Sequence, residues 1–341
     1  MTKVDFVIVT RNEVSYTRKC IESIFKHAGC SFHLILVDNA SDDGTREYFR
    51  FLEKQNMTLD QVTIILNDTN RGYVLGVNQG LERSTSPYVV LCNNDIVLYP
   101  NALNELIAVA SQKYQFGLIN PNSNEFGFGE YNESKLQTLR GTYRERCHTS
   151  GFFVLIKREV IQAIGGLDTT FSPGYFDDMD YSERAKHAGF LCLVANGAYV
   201  YHYGSRSFRP QEKQDLWKKH RALFTEKWGG TKWFAYLGDL ESAFNSSHRK
   251  EITNRLLEIA RRDIAILHLL VPKGSRKYFE GIHDSFRIVE TLPSLQTLAL
   301  LSKVWRSNPT KPISRIYVSN DHQMDVWKKL KPFHRKNVFK L

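Results

Sequence analysis

At 341 residues, with 42% hydrophobic and 24% charged residues, the chain is long enough for a large core, more readily two domains than one, and is neither repetitive nor low in complexity. The five cysteines (Cys20, Cys30, Cys92, Cys147 and Cys192) form no CxxC pair, which argues against a disulfide framework or a cysteine zinc site and fits a reducing compartment. The net charge of +10 divides unevenly: residues 1–200 carry 19 Lys/Arg against 23 Asp/Glu (−4), residues 201–341 carry 27 against 13 (+14).

No window approaches the roughly 18 uninterrupted apolar residues of a membrane span. The opening "MTKVDFVIVTRNE" enters a strand directly, without a signal-peptide pattern, so the expected location is cytoplasmic. The basic second half suggests an anionic partner, although a lysine-rich solvated face would look the same. Its tail "KKLKPFHRKNVFKL" interleaves basic and apolar residues and tilts the choice towards peripheral contact with an anionic membrane.

In chain order, strands are predicted at Val4–Thr10, His33–Asp38, Val62–Asn67 and Tyr88–Cys92. Helices are predicted at Tyr16–Lys26, Gly44–Lys54, Val74–Arg83 and Asn101–Gln112. Short strands joined by crossover helices require a mostly parallel sheet, and ligands collect at the carboxyl ends of such strands. The residues there are Thr10-Arg11-Asn12-Glu13, Asp38-Asn39, Asn67-Asp68 and Asn93-Asn94-Asp95; four polar ends in register describe the floor of a site. Residues 121–146 read as a long loop. Strand Phe152–Lys157, a short helix closed by Gly165-Gly166, and two strands in "FLCLVA" and "AYVYHY" follow. From Arg209 the pattern turns helical, at Gln211–Trp228 and His248–Leu270, and the last hundred residues read as a mixed, mainly helical module.

Several clusters carry candidate chemistry. Asp95 and Asn93, two apart in extended backbone, present oxygens to one side, as hard divalent cations such as Mg²⁺ or Mn²⁺ require; an Asx turn ending a strand would use the same residues. Asp177, Asp178 and Asp180 open a helix running to about His187. Capping explains one acid there, and crowded carboxylates raise one another's pKa as a general base requires. Asp180 and Arg184, at i and i+4, are expected to pair, leaving Asp177 and Asp178 for the pocket. In "NRGYVLGVNQGL", Gly72, Gly76 and Gly80 with Asn70 and Asn78 allow close backbone approach to a ligand, or close helix–sheet packing. His202 ends a strand before Gly204, Ser205, Arg206 and Arg209, a run suited to phosphate, though a lone histidine often has a structural role.

Taken together, "VIVTRNE", "LVDNASDDGT", "NRGYVLGVNQGL", "VLCNNDIVL", "GFFVLIKREVIQAIGGLD", "FDDMDYSERAKHAG" and "YHYGSRS" resemble, in order, the family 2 glycosyltransferases, in their rhamnosyltransferase-like branch. The resemblance covers residues 4–208. It implies a GT-A catalytic domain over 1–208, a mixed, mostly parallel sheet flanked by helices, and leaves 209–341 as a basic module for acceptor, membrane or oligomer contacts. It further implies that Thr10, Asn12 and Glu13 flank the nucleotide, that Asp38 reads a pyrimidine base with Asn39 and Asp43 completing the loop, and that Arg71 and Gly72 lie near the diphosphate. Asn93-Asn94-Asp95 matches the DxD motif, with Asp95 as metal ligand and neutral Asn93 in place of the first acid; His202 matches the third metal position. Asp178 matches the catalytic base of the family's ED pair, with Asp177 in place of Glu.

The implied reaction is inverting, non-processive transfer of a hexosyl or deoxyhexosyl group from a UDP- or dTDP-linked sugar to a hydroxyl of a glycan or lipid-linked acceptor, with Mn²⁺ or Mg²⁺, in bacterial surface polysaccharide assembly. A homodimer is within the expected partners and nucleic acid is not. The alternatives are a nucleotide-sugar-binding protein of the same fold without turnover, and a nucleotidyltransferase, whose Gly-rich basic signature after the first strand is absent from "VTRNEVSYTRKC".

Overall fold

The structure is a computed structural model that describes residues 3–54, 61–125, 127, 129–204, 210–292, 313–329 and 338–341. The chain divides into two compact units, residues 1–228 and 229–341. The helix Pro210–Trp228 belongs to the first unit, so the division falls beyond residue 208, where the sequence pattern had placed it.

The first unit is built on a nine-stranded sheet. Its strands are β1 (Lys3–Thr10), β2 (Ser31–Asn39), β3 (Val62–Asn67), β4 (Tyr88–Asn93), β5 (Ile96–Leu98), β6 (Phe116–Asn122), β7 (Tyr143–Arg146), β8 (Phe153–Lys157) and β9 (Leu191–His202). They lie in the order β3-β2-β1-β4-β8-β6-β9-β5, with β7 also on β9. β3, β2, β1 and β4 are mutually parallel, whereas β8 runs antiparallel between β4 and β6. This is the mixed, mostly parallel sheet expected of a GT-A domain.

Helices α1 (Val14–His27), α2 (Thr45–Lys54) and α4 (Ala102–Ala110) bury Ile21, Ile24, Phe49 and Leu103 against one face. α3 (Tyr73–Arg83), α6 (Arg158–Ile164) and α7 (Asp177–His187) bury Val74, Val77, Val160 and Tyr181 against the other; α5 (Glu133–Thr138) and α8 (Pro210–Trp228) complete the unit. Gly76 and Gly80 serve helix–sheet packing. A Cβ on Gly80 would stand 2.3 Å from the Val7 side chain, and one on Gly76 would stand 2.8 Å from Val9.

A buried carboxylate fastens the amino ends of this sheet. Asp5, fully buried, accepts from Thr85 N (2.6 Å), Ser86 N (2.7 Å) and Ser86 Oγ (2.6 Å), and faces His33 at 3.3 Å. Burial opposes its charge, but these bonds outweigh it and hold the pKa at about 2. A folded pKa below the unfolded value means the stabilisation is complete above pH about 4 and lost as pH falls towards 2. Asp5→Ala should destabilise the chain by about 3–5 kcal/mol at pH 7, since Arg158 and the donors of Ser86 lose their partner, and by far less near pH 2; chemical denaturation at the two pH values checks this.

The second unit departs from the mainly helical expectation. It holds a five-stranded, all-parallel sheet of β10 (Lys232–Leu237), β11 (Ala265–Pro272), β12 (Phe286–Thr291), β13 (Ile313–Val318) and β14 (Val338–Lys340). The order is β12-β11-β10-β13-β14, a doubly wound arrangement. Its described helices are α9 (Leu240–Phe244), α10 (Ser246–Arg262) and α11 (Asp321–Lys329). The helix expected over His248–Leu270 is α10 followed by β11. Its apolar spacing runs on by coincidence into "AILHLLVP", a strand buried on both faces, and the chain turns at Asp263. β6, mostly in the stretch between Gln112 and residue 121 that carried no assignment, β7, at the end of the expected loop, and the continuity of β9, read as two strands, were also missed.

Candidate active site

Every first-unit strand end expected to be polar meets its neighbours at one edge of the sheet. Thr10 pairs with Asp38, and Asn39 with Asn67, across adjacent parallel strands. Asp38 is fully buried; it receives Arg46 Nε at 2.7 Å and the Ser41 amide at 3.2 Å. Arg46 also donates to the Asn67 carbonyl. Thr10 is buried, and its hydroxyl has no hydrogen-bond partner among the described residues. Asn12 and Glu13 turn the chain in left-handed conformations (φ 62° and 63°), and Asn12 is stitched to the 41–43 loop by bonds to Ser41 Oγ and from Asp42 N. Asp43 accepts from Val14 N, at the start of α1, and from the backbone and hydroxyl of Thr45, at the start of α2. Three amides extend the floor: Asn39 donates to the Gly72 carbonyl and accepts from Asn67, which exchanges two bonds with Gln79. Gly72, at φ 81°, lies against Pro173 with no room for a side chain, and Arg71 beside it is exposed.

The second corner forms where β4 ends. Antiparallel pairing of β5 with β9 sets Ile96 opposite His202 and so brings Asp95 to the histidine. His202 Nε2 lies 3.3 Å from Asp95 Oδ1 and 3.4 Å from the Asn93 amide. Glu125 stands 3.3 Å from Nδ1, and Phe152 stacks on the ring at 5.0 Å. Burial opposes charge on the imidazole, but the bond and charge of Asp95, then Glu125, prevail and raise its pKa. Among the described residues no three His, Cys, Asp or Glu side chains stand together as a metal site. The convergent groups are instead Asp95, His202 and Asn93; Asn93 faces the histidine through Nδ2, so its carbonyl oxygen would join the Asp95 carboxylate and the imidazole around Mg²⁺ or Mn²⁺ once the amide is turned over. Glu125 at Nδ1 leaves Nε2 as the nitrogen facing the other two.

The third corner is the start of α7. Tyr175 and Phe176 hold left-handed conformations (φ 70° and 66°) as the chain enters the helix, and two adjacent strained aromatics mark a constrained loop. Asp180 pairs with Arg184 at 2.9 Å, as expected, and also takes Trp228 Nε1 (2.8 Å) and Lys227 (2.7 Å), so it holds α8 in place. Asp178 accepts from Gly151 N (3.0 Å) and Met179 N (2.8 Å). Burial raises its pKa, opposed by these bonds and by the nearby His148 and Arg146. Burial and then the Asp178 charge push Asp177 up to about 8.

One dipeptide joins the second and third corners. Gly151 N bonds Asp178, whereas Phe152 accepts from Asn93 N (2.9 Å) and covers His202. Tyr73 donates to the Gly151 carbonyl at 3.3 Å. Burial drives its pKa far up, and the charges of Asp177, Cys92, Asp178 and Asp95 add to the shift; Tyr73 lines a small cavity together with Asp177 and Asp178.

Two further residues expected at the nucleotide, Asn78 and Asn94, have their amides engaged within the protein. Asn78 exchanges two bonds with the Leu167 backbone (2.9 and 2.8 Å), so both ends of its amide are spent fastening the 165–168 loop to α3. Asn94 turns to Thr17 Oγ1 of α1 at 3.0 Å, away from Asn93. Ser205 and Arg206 lie outside the described residues. Tyr73, Gly151, Phe152 and Glu125 were missed; only Glu125 had a signal, as an acid in the long loop 121–146.

Residues 5–165 match the family model described as Glycosyl transferase family 2. The chain is 25% identical over 233 residues to "Uncharacterized protein y4gI" of Sinorhizobium fredii (strain NBRC 101917 / NGR234), covering 60% of this chain and 25% of that protein. It is 20% identical over 202 residues to "Glycosyltransferase AglE" of Haloferax volcanii, covering 57% and 64%. The match thus spans less than two thirds of either curated relative. A solved structure, "Crystal structure of GalNAc-T7 with UDP, GalNAc and Mn2+", superposes with a TM-score of 0.53 at 16% identity, over 67% of this chain and 48% of that one.

Proposed function

We propose that the first unit, in which residues 5–165 match the glycosyl transferase family 2 model, transfers a sugar, with inversion, from a UDP- or dTDP-linked donor to an acceptor hydroxyl. The observation that carries this reading is the Gly151-Phe152 dipeptide. It fastens a carboxylate of raised pKa to the Asp95–His202 corner, as needed when acceptor and donor meet at one carbon.

Asp178 is the base. Its carboxylate takes the proton of the acceptor hydroxyl, whose oxygen bonds to the anomeric carbon from the face opposite the diphosphate. The bond from that carbon to the diphosphate oxygen breaks, and the nucleoside diphosphate leaves with the electron pair. Asp177, beside it and more deeply buried, keeps the pair from carrying two charges below pH about 8. Thr10, Asn12, Glu13 and the Asp38–Asp43 loop form the wall for the base and ribose, with Asn39, Gly72 and Arg71 towards the diphosphate. Asp95, His202 and Asn93 would hold a divalent cation, which supplies positive charge next to the leaving diphosphate. The acceptor is a glycan or lipid-linked hydroxyl, in bacterial surface polysaccharide assembly. Among the described residues no helix is long and apolar enough to cross a membrane, and the excess of cationic side chains after residue 200 supports contact with an anionic membrane face.

A thermal-shift panel of nucleotide sugars with Mn²⁺ tests the donor. One UDP- or dTDP-sugar should raise Tm by an amount that excess chelator removes, about 2.7 kcal/mol of stabilisation at a hundredfold excess over Kd. A flat response across the panel would refute the reading.

A further inference from the structure

We propose that the second unit holds a separate site for a small phosphorylated compound. A cavity of about 400 Å³ lies between the β11–β12 edge of its sheet and the 276–283 connection, within the size range of small-molecule sites. It shares no residue with the candidate active site. Register sets His268 directly opposite Arg287 across β11 and β12, and His283 and Arg276 line the same cavity. Phe279 and Phe286, which belong to the core under the sheet, supply apolar wall.

The charges point to the ligand. Of the residues lining the cavity, two carry guanidinium groups, two carry imidazoles and one, Glu280, is an acid, 3.5 Å from Arg276 on an exposed turn and screened there. Two further carboxylates border it: Asp284 stands 3.6 Å from His283, and Glu290 accepts the Arg276 backbone amide. Arg276 also donates to the Ile288 carbonyl at 2.9 Å, and Arg287 to the Asp284 carbonyl at 2.6 Å. Carbonyls orient a guanidinium without neutralising it. Among the described residues no carboxylate lies within ion-pair distance of Arg287. Two oriented arginines lining one cavity suit a doubly charged phosphate better than a single carboxylate. Residues 229–341 carry 20 Lys/Arg against 10 Asp/Glu, so the surrounding field draws anions in. The aromatic wall accommodates a ring or chain attached to the phosphate, and inorganic phosphate fills only part of the volume. The site therefore takes a phosphomonoester with an organic body, such as a sugar phosphate, and its occupancy is independent of the transfer reaction.

Calorimetric titration of the full chain with glucose 1-phosphate, inorganic phosphate and glucose tests the assignment, with vesicles containing phosphatidic acid as a fourth arm. Glucose 1-phosphate should bind with Kd below about 1 mM, inorganic phosphate more weakly, and glucose not at all. Arg287→Gln and Arg276→Gln, both at exposed positions, should each raise Kd at least tenfold with Tm unchanged. Asp95→Ala should leave this Kd unaltered while removing nucleotide-sugar binding, which separates the site from the one in the first unit. Failure of both phosphates to bind at 10 mM, binding that survives both arginine substitutions, or binding confined to the vesicles would each overturn the proposal.

Discussion

Asp178→Asn should lower kcat by about 10²–10⁴-fold, the usual worth of a general base, while the affinity for the nucleotide sugar changes little. The amide keeps an oxygen for the N–H groups of Gly151 and Met179, so the loop stays in place and only the proton acceptor is lost. Both carboxylates have raised pKa values, with Asp177 at about 8. The rate should therefore climb with pH from the acid side along a limb displaced above the ordinary carboxylate range, and this limb should vanish in the variant. Retained turnover in Asp178→Asn, with loss in Asp177→Asn, would assign the proton to Asp177 instead. Stability should move the opposite way. A folded pKa above the unfolded one means that the buried acid costs stability as pH rises from about 4 to about 8. Asp177→Asn should thus raise Tm at pH 8, by about 2–4 °C for each kcal/mol relieved in a unit of this size. Scanning calorimetry at pH 5 and pH 8 reads the difference.

The second large effect belongs to the Asp95 corner. Asp95→Ala should abolish Mn²⁺-dependent binding of the nucleotide sugar, since it removes the only carboxylate among the three convergent groups. Glu125→Gln should act one step removed. Its carboxylate is 3.3 Å from His202 Nδ1 and sets which nitrogen faces Asp95, so the loss should be about 10–100-fold in Mn²⁺ affinity. Titration of free Mn²⁺ by electron paramagnetic resonance separates the two without an activity assay. Equal affinity in Asp95→Ala and the parent chain would take the metal away from this corner.

Why the sequence revealed some of this and not the rest follows from the range of each interaction. β1 to β4 and their helices were legible because apolar period and polar strand ends are local. The Asp180–Arg184 pair was legible because i, i+4 on a helix fixes the distance. His202 was placed near Asp95 only through the family resemblance, because an antiparallel pairing over a hundred residues apart leaves no local trace. The same holds for Glu125 and for Gly151-Phe152, whose backbone bonds to Asp178 and Asn93 and whose ring contact with His202 are all long-range. The bonds of Asn78 to the Leu167 backbone were not legible, because a polar residue in a Gly-rich helix start looks alike whether it meets a ligand or a loop. The second unit was misread where β11 continues the apolar spacing of α10, a case in which period alone does not separate a buried strand from a helix.

The position of Asp43 has a kinetic consequence. One carboxylate terminates two helices at once, with Val14 N on one side and Thr45 on the other. The loop between Asp38 and Thr45 cannot swing aside without uncapping α1 and α2 together, so the wall it forms is set before any nucleotide arrives. Association there should be a single-step, concentration-limited process without a slow rearrangement phase, and tuning of affinity through this wall should appear in the dissociation rate.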